Sequence, residues 1–255
     1  MIAPLDQLTI TALPGMPEVR PGDDLVALLA ASLERTGLGL VAGDIVVVTH
    51  KVVSKAEGRL VDLRTITPST LAASIAGRFG KDARQVEVVL RESTRIVRMD
   101  RGVIISETAH GLICANAGVD ASNVSNDTVC LLPVDPDASA AALRSYLEAR
   151  FGVAPGVIVS DSFGRPWRVG IVNVAIGVAG LPALADYRGY TDAAGYELHV
   201  SVLAVADELA AAAELVMNKL DARPVVLVRG YIPPVDAPPG TGRDLILDSG
   251  RDMFR

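Results

Sequence analysis

Apolar residues recur along the chain at two spacings, one typical of helices and one of strands. Leucines at helical spacing between Asp23 and Gly37 predict a helix that ends at the glycine. The β-branched run Ile45–Thr49 predicts a short buried strand. Thr67-Pro68 and Asp135-Pro136 each place an N-cap residue before a proline, which predicts helices over 68–80 and 136–151.

The same patterns predict further elements in the rest of the chain. A long alanine-rich helix is expected from Asp207 to Leu220. Strands are expected at Val86 to Leu90, Val103 to Ser106, Thr128 to Leu132, Val157 to Ser160, Leu198 to Leu203 and Pro224 to Val228. Because strands and helices do not alternate regularly, we expect a mixed α/β fold with antiparallel sheet components.

The length of 255 residues and an apolar content of 50% suit one large module or two interleaved modules with a sizeable core. We predict one domain over 1–232, with two subdomains as an open alternative, and a Pro/Gly-rich tail over 233–255.

Charge and cysteine content exclude several classes of partner. The net charge is −6, lysines and arginines are dispersed, and aromatics make up 4%, so neither nucleic acid nor a membrane surface is an expected partner. Residues 1–6 lack the features of a secretory signal. Cys114 and Cys130 lack metal-type spacing and are expected to be buried reduced thiols, which favours a cytoplasmic protein.

A first candidate site follows the apolar run that begins at Val157. Asp161-Ser162 would bring hard oxygen ligands for Mg²⁺ or Mn²⁺ to the end of the predicted strand. Arg165 and Arg168 carry guanidinium groups that suit phosphate or carboxylate. The alternative is a turn held by its own aspartate, with the arginines solvated.

Two other segments, 49–58 and 114–124, are expected to be loops that supply chemistry. Lys51 and Lys55 are candidates to reach a phosphate, although a solvated lysine face is an open alternative. Asp120 and Asn123 suit a ligand site or a simple Asx-turn. Because the sequence has no Walker A motif, no G-x-G-x-x-G after a strand and no G-x-S-x-G elbow, a nucleotide would bind by another route and a serine hydrolase is not supported.

Taken in order, these segments resemble the coenzyme F-420 γ-glutamyl ligase family, over the region from Leu13 to about Gly230. The matching segments are Leu13–Met16, Gly43–Thr49, Lys51–Arg59, His110–Asp120, Ser122–Val124, Asp161–Arg168 and Val225–Gly230.

The resemblance implies a GTP-dependent amide ligase with a fold particular to the family and an intertwined homodimer. Its partners would be GTP, L-glutamate and a deazaflavin coenzyme precursor, with one or two Mg²⁺ or Mn²⁺ ions and K⁺ as a further ion. The tail carboxylate would be activated as an acyl phosphate. The residues implied as nucleotide contacts are Leu13, Pro14, Gly15, Met16, His50, Lys55 and Asn123; as metal ligands Asp120, Asp161 and Ser162; and as catalytic groups Lys55, Asp161, Arg165 and Arg168.

Two positions depart from the family pattern. His50 stands where many relatives have a small hydroxyl residue, and Lys219 follows the last long helix where archaeal relatives have an acidic metal ligand. Two alternatives therefore stay open: a ligase that joins another amine to another carboxylate, and a non-catalytic nucleotide- or metal-binding paralogue.

Overall fold

The computed structural model describes residues 7–233 and 237–252. Its strands are β1 (Thr9–Ala12), β2 (Ile45–Thr49), β3 (Leu60–Asp62), β4 (Ser93–Asp100), β5 (Val103–Thr108), β6 (Ile113–Ala115), β7 (Thr128–Cys130), β8 (Gly156–Arg165), β9 (Arg168–Ala179), β10 (Ala185–Asp186), β11 (Val202–Leu203) and β12 (Val225–Arg229). Its helices are α1 (Leu25–Thr36), α2 (His50–Ala56), α3 (Thr70–Phe79), α4 (Ala83–Arg91), α5 (Pro136–Phe151) and α6 (Val205–Met217). The predicted mixed α/β class is confirmed.

The central sheet has the strand order β1-β12-β2-β8-β9, and helices cover both faces. Strands β2 and β8 are parallel, and the other neighbours are antiparallel. Val46 and Val48 pack with α1, α2 and α5, whereas Val47 faces α6. Burial on both faces explains why β2 is continuously apolar.

A second hydrophobic cluster lies beside the central sheet and contains α3, α4, β7 and parts of the β4-β5-β6 sheet. Residues 116–127 connect β6 to β7. In this segment Asp120 and the backbone of Asn123 contact Lys51 and Lys55 of α2.

Three carboxylates accept hydrogen bonds from the outer edge of strand β9. Backbone N–H groups of Asn173, Ala175 and Val178 donate to Glu214 (3.0 Å), Asp207 (2.8 Å) and Asp137 (2.8 Å). These bonds satisfy donors that an edge strand would otherwise leave open to another chain. They also fix α6 on β9, with Glu214 near the candidate site.

An ion pair between a half-buried arginine and a buried aspartate joins β12 to the turn before β2. The fully buried Asp44 accepts two hydrogen bonds of 2.7 Å from Arg229, and a third of 2.8 Å from the backbone of Val41. Asp44 and Arg229 belong to two of the segments that carry the family resemblance. In these two segments, the resemblance therefore includes residues that stabilise the fold.

Several predicted elements are confirmed. Helix α1 lies within 23–37, with Asp24 and Gly37 as its caps, and α5 spans 136–151 after the N-cap Asp135. Strand β2 has its predicted bounds.

Other predictions are corrected by the structure. The segment Val86 to Leu90 is helical, in α4, because Asp82 caps the first turn and Val86 and Val89 lie on the buried face. The segment expected to be a loop from 49 begins with helix α2. The strand expected to stop at Asp161 continues to Arg165, because it pairs with β9 as a hairpin.

Smaller corrections concern element ends. The predicted strand from Leu198 shrinks to Val202–Leu203, and the helix expected from 68 begins at Thr70, with Ser69 as its cap. Strand β7 ends at Cys130, and α6 ends at Met217.

Part of the predicted tail packs on the domain. Gly242 donates its N–H to Asp137 (2.6 Å), and Gly240 donates to the carbonyl of Leu181 (2.9 Å). Residues 1–6, which carry the prediction about a signal segment, and tail residues 234–236 and 253–255 lie outside the described residues. Among the described residues, the helices are too short or too polar to cross a bilayer.

Candidate active site

A cavity of about 350 Å³ opens at the end of β2 and beside the middle of β8, between α2, the end of α6 and the segment after β1. Its volume lies within the range of about 300–1,000 Å³ that is usual for small-molecule sites. The sequence-predicted residues that line it are Met16, His50, Lys51, Lys55, Asn123, Asp161 and Ser162. The fold thus brings together residues from four separate segments.

Helix α2 presents its polar face to the cavity. His50, Lys51 and Lys55 all line it, and Lys51 and Lys55 are four residues apart, so they lie on the same side of the helix. The helix starts directly after β2, which places the imidazole at the end of the sheet.

Asp161 and Ser162 lie on strand β8, directly after the point where its partner strand β9 has a bulge. Pairing shifts between Val159 and Ser160, so that Ile176 of β9 is the extra residue. A bulge bends the ladder locally and redirects the side chains that follow. Beyond it, Ser162 lies opposite Asn173, and its Oγ donates to Asn173 Oδ1 at 2.7 Å.

His50 lies between Ser54 and Asp161. Its Nδ1 is 3.3 Å from Ser54 Oγ, and its Nε2 is 3.3 Å from Asp161 Oδ1. The residue is 1% exposed, and Nε2 has no well-directed hydrogen bond to any described residue. A buried ring nitrogen beside a carboxylate can orient that carboxylate.

Lys55 is buried and is held by two oxygens. Its Nζ donates to the Glu18 carboxylate and, at 2.7 Å, to the carbonyl of Asn123. Asn123 has a left-handed backbone (φ 56°), which asparagine tolerates better than most residues. The ammonium is therefore fixed in the cavity, opposite an exposed carboxylate.

Asp120 lies next to the cavity and is paired with Lys51. Lys51 Nζ is 2.7 Å from Asp120 Oδ2 and 2.5 Å from Ser122 Oγ. Burial raises the pKa of the Asp120 carboxyl, but hydrogen bonds from Lys51 and the Ser122 backbone outweigh burial and hold the pKa below its ordinary value.

Lys219 reaches into the cavity from the end of α6. Its Nζ donates to Ser162 Oγ at 2.7 Å and is 2.6 Å from Glu214 Oε1. The residue that the sequence marked as a departure therefore contacts the hydroxyl that the family resemblance implies as a metal ligand.

Six predicted residues do not line the cavity: Leu13, Pro14, Gly15, Asp120, Arg165 and Arg168. Leu13 is fully buried in the core. The carbonyls of Pro14 and Gly15 accept hydrogen bonds from Ser32 and Arg35 of α1. Arg165 and Arg168 lie at the tip of the β8–β9 hairpin, where Arg165 Nη2 donates to the carbonyl of Val169 at 2.9 Å.

Residues that the sequence did not single out also line the cavity, among them Glu18, Asn173, Glu214 and Arg223. Glu214 gave no sequence signal, because it lies in an alanine-rich helix and belongs to no recognisable motif. Asn173 was one polar residue inside an apolar run, and that interruption was the only signal available.

The oxygen donors in the cavity fit a hard divalent ion. Among the described residues, no cluster of three or more His, Cys, Asp or Glu side chains could hold a metal by itself. Asp161 accepts from the Ser162 N–H through Oδ1, while Oδ2 has no hydrogen bond to a described residue. One carboxylate oxygen plus a hydroxyl suits Mg²⁺ or Mn²⁺, which usually take only one or two carboxylates when substrate phosphates complete the shell.

The fold and the cavity together define an α/β protein in which fixed lysine ammonium groups lie beside carboxylate and hydroxyl oxygens in one cavity. Comparison with known proteins agrees with that description. The family described as F420-0:Gamma-glutamyl ligase matches residues 15–230.

Similar proteins cover nearly the whole chain. It is 48% identical over 254 residues to the coenzyme F420:L-glutamate ligase of Methanopyrus kandleri, covering 98% of this chain and 99% of that protein. It is 46% identical over 225 residues to the protein of the same name from Methanothermobacter thermautotrophicus, covering 88% and 89%. The corresponding protein of Methanocaldococcus jannaschii is 45% identical over 214 residues, covering 84% and 85%.

The chain belongs to the F420-0:gamma-glutamyl ligase family. It is a ligase of the class that forms an amide bond.

Proposed function

We propose that this chain joins L-glutamate to the tail carboxylate of a deazaflavin coenzyme F-420 precursor and uses GTP to activate that carboxylate. The observation that carries the proposal is the meeting of Lys55, Asp161 and Ser162 around one cavity in a chain of this family. The names of the similar proteins support glutamate and coenzyme F420 as the substrates.

Activation is needed because a carboxylate and an ammonium do not condense in water at a useful rate. In the proposed first step, a carboxylate oxygen attacks the γ-phosphorus of GTP, and the bond to the GDP oxygen breaks. In the second step, the glutamate amine attacks the acyl carbon, a proton leaves the nitrogen and inorganic phosphate departs. Holding the reactants in this geometry supplies much of the acceleration.

The cations of the cavity would neutralise the phosphates. Lys55 is the strongest candidate, because it is buried and fixed by the Asn123 carbonyl. Lys51, Lys219 and Arg223 line the same space. Charges fixed before the reaction need no rearrangement when charge develops on the transferred phosphoryl group.

Asp161 and Ser162 would hold Mg²⁺ or Mn²⁺, and the ion would supply charge stabilisation as the phosphoryl group leaves. His50 would keep the Asp161 carboxylate in position from 3.3 Å. Asp120 does not line the cavity but is paired with Lys51, which does. It would become a ligand of the ion only if it exchanged the lysine for the ion.

A homodimer is part of the proposal. The tip of the β8–β9 hairpin exposes Trp167, Val169 (98%) and Ile171, an apolar surface that suits contact with a second chain. Arg165 and Arg168 do not line the cavity of their own chain. They would contact a phosphate only if the hairpin tip reached the cavity of the second chain. Light scattering of the purified protein measures the oligomeric state.

The test of the proposed reaction is phosphate release from GTP with each substrate omitted in turn. We expect release only when both the deazaflavin acceptor and L-glutamate are present, and a lower rate when ATP replaces GTP. Asp161→Asn should stop release, while Asp100→Asn, a change on an exposed strand outside the cavity, should not. Phosphate release at the same rate with and without glutamate would contradict the proposal.

A further inference from the structure

We infer that the ammonium group of Lys219 takes the place of one divalent cation, so that each chain binds a single Mn²⁺ or Mg²⁺ together with its nucleotide. This inference rests on the proposed function, because it concerns how the same cavity handles phosphate charge.

The ammonium is held at a defined place in the cavity. Helix α6 ends at Met217, and Asn218 turns the chain with a φ of 54°. A hydrogen bond of 2.9 Å from Asn218 Nδ2 to Asp221 fastens the turn. Lys219 then reaches Ser162 on β8 at 2.7 Å and Glu214 on α6 at 2.6 Å, although its side chain is 57% exposed.

The ammonium is bound by a hydroxyl oxygen, Ser162 Oγ, and a carboxylate oxygen, Glu214 Oε1, and both are typical ligands of Mg²⁺ or Mn²⁺. Both oxygens of Glu214 are engaged, since Oε2 accepts from the Asn173 N–H at 3.0 Å and Oε1 faces Lys219. A second dication placed there would have to displace the ammonium, or lie within a few ångströms of it against strong charge repulsion.

The donors that remain suffice for one ion. Ser162 Oγ gives its proton to Asn173 and accepts from Lys219, which leaves one lone pair of the two that a hydroxyl carries. Asp161 Oδ2, on the neighbouring residue of β8, is a second open oxygen. With phosphate oxygens and water, these two ligands complete a shell for one Mg²⁺ or Mn²⁺.

The role of Lys219 in the reaction follows from its position. It lines the cavity beside the oxygens proposed to hold the ion, and it offers a fixed positive charge to a phosphate placed there. Unlike a bound ion, this charge cannot dissociate at low metal concentration.

The experiment counts Mn²⁺ bound per chain by electron paramagnetic resonance, in the presence of the imido analogue of GTP. The variants are Lys219→Met, which removes the charge, Lys219→Glu, which adds a ligand, and Lys219→Arg, which keeps the charge. Lys81→Met is the matched control, because Lys81 lies outside the cavity. Thermal melts show that each variant is folded.

We expect one Mn²⁺ in the wild type, Lys219→Arg and Lys81→Met, and a second Mn²⁺ in Lys219→Met or Lys219→Glu. Two ions in the wild type, or one ion in both charge-removing variants, would overturn the inference and leave the proposed function standing. Absence of Mn²⁺ from every protein would instead overturn the metal-dependent function, and this inference with it.

Discussion

The Nε2 atom of His50 lies 3.3 Å from Oδ1 of Asp161, and the pairing of two strands brings these atoms together. Strands β2 and β8 are parallel, with Thr49 opposite Ser160, so the next residues of the two strands emerge side by side. The imidazole and the carboxylate are both part of the cavity wall.

The first prediction concerns this pair. We expect Asp161→Asn to abolish turnover without unfolding the protein, because the amide keeps the shape but loses the charge that a divalent ion requires. His50→Phe should keep the packing and lower Mn²⁺ affinity by about 10–100-fold, the usual effect of losing a residue that orients a ligand. Calorimetric titration with Mn²⁺ measures both effects, and unchanged affinity in both variants would remove the pair from the metal site.

The second prediction concerns the pair formed by Lys55 and Glu18. Lys55→Ala should weaken GTP binding more than it raises the KM for glutamate, because its proposed partner is a phosphate. Glu18→Gln should have the opposite effect and tighten GTP binding by up to about fivefold, because the exposed Glu18 carboxylate competes with the phosphate for the Lys55 ammonium. Fluorescence titration with a labelled GTP analogue distinguishes the two, and changes of the same sign would contradict the account.

The third prediction concerns stability. Arg229→Met should lower the free energy of unfolding by about 3–5 kcal/mol, because it leaves the carboxylate of Asp44 buried without its partner. Arg64→Met breaks an exposed pair with Asp62, which water screens, and should leave stability almost unchanged. Urea unfolding of both variants makes the comparison, and equal losses would show that the buried pair has no special role.

The fourth prediction concerns the Cys114 thiol. Burial, and then the negative charge of Asp161, raise its pKa to about 12. The folded protein therefore holds a proton that the unfolded chain releases, so this contribution to stability is complete below the ordinary thiol pKa and is lost as pH rises towards 12.

Two measurements check the thiol. Alkylation at pH 8 should be much slower in the native protein than in urea, and the loss of stability above pH 9 should be shallower in Cys114→Ala. In Asp161→Asn, the native thiol should titrate at lower pH than in the wild type. Fast native alkylation at pH 8 would show that the thiol is not buried as described.

Elements with strong local signals could be predicted from the sequence. The caps of α1 and α5 identify their ends because the cap residues satisfy backbone groups within one turn. The valines of α4 favour a strand locally, but the burial of one helical face overrides that preference. The extension of β8 past Asp161 depends on pairing with β9, which no local pattern records.

The candidate site was predictable to a similar degree. Motif order pointed to His50, Lys55 and Asp161, and all three line one cavity. Glu214 was not foreseeable, since its role depends on α6 packing along the edge of β9. The contact between Lys219 and Ser162 likewise joins residues that only the three-dimensional fold brings together.

The most direct test of the central claim is mass spectrometry of the deazaflavin substrate after incubation with the purified protein, GTP, Mn²⁺ and L-glutamate. We expect a product heavier by one or more glutamyl residues, formed only when GTP, metal and glutamate are all present, and absent with Asp161→Asn. An unchanged deazaflavin mass with the folded wild-type protein and every substrate present would contradict it.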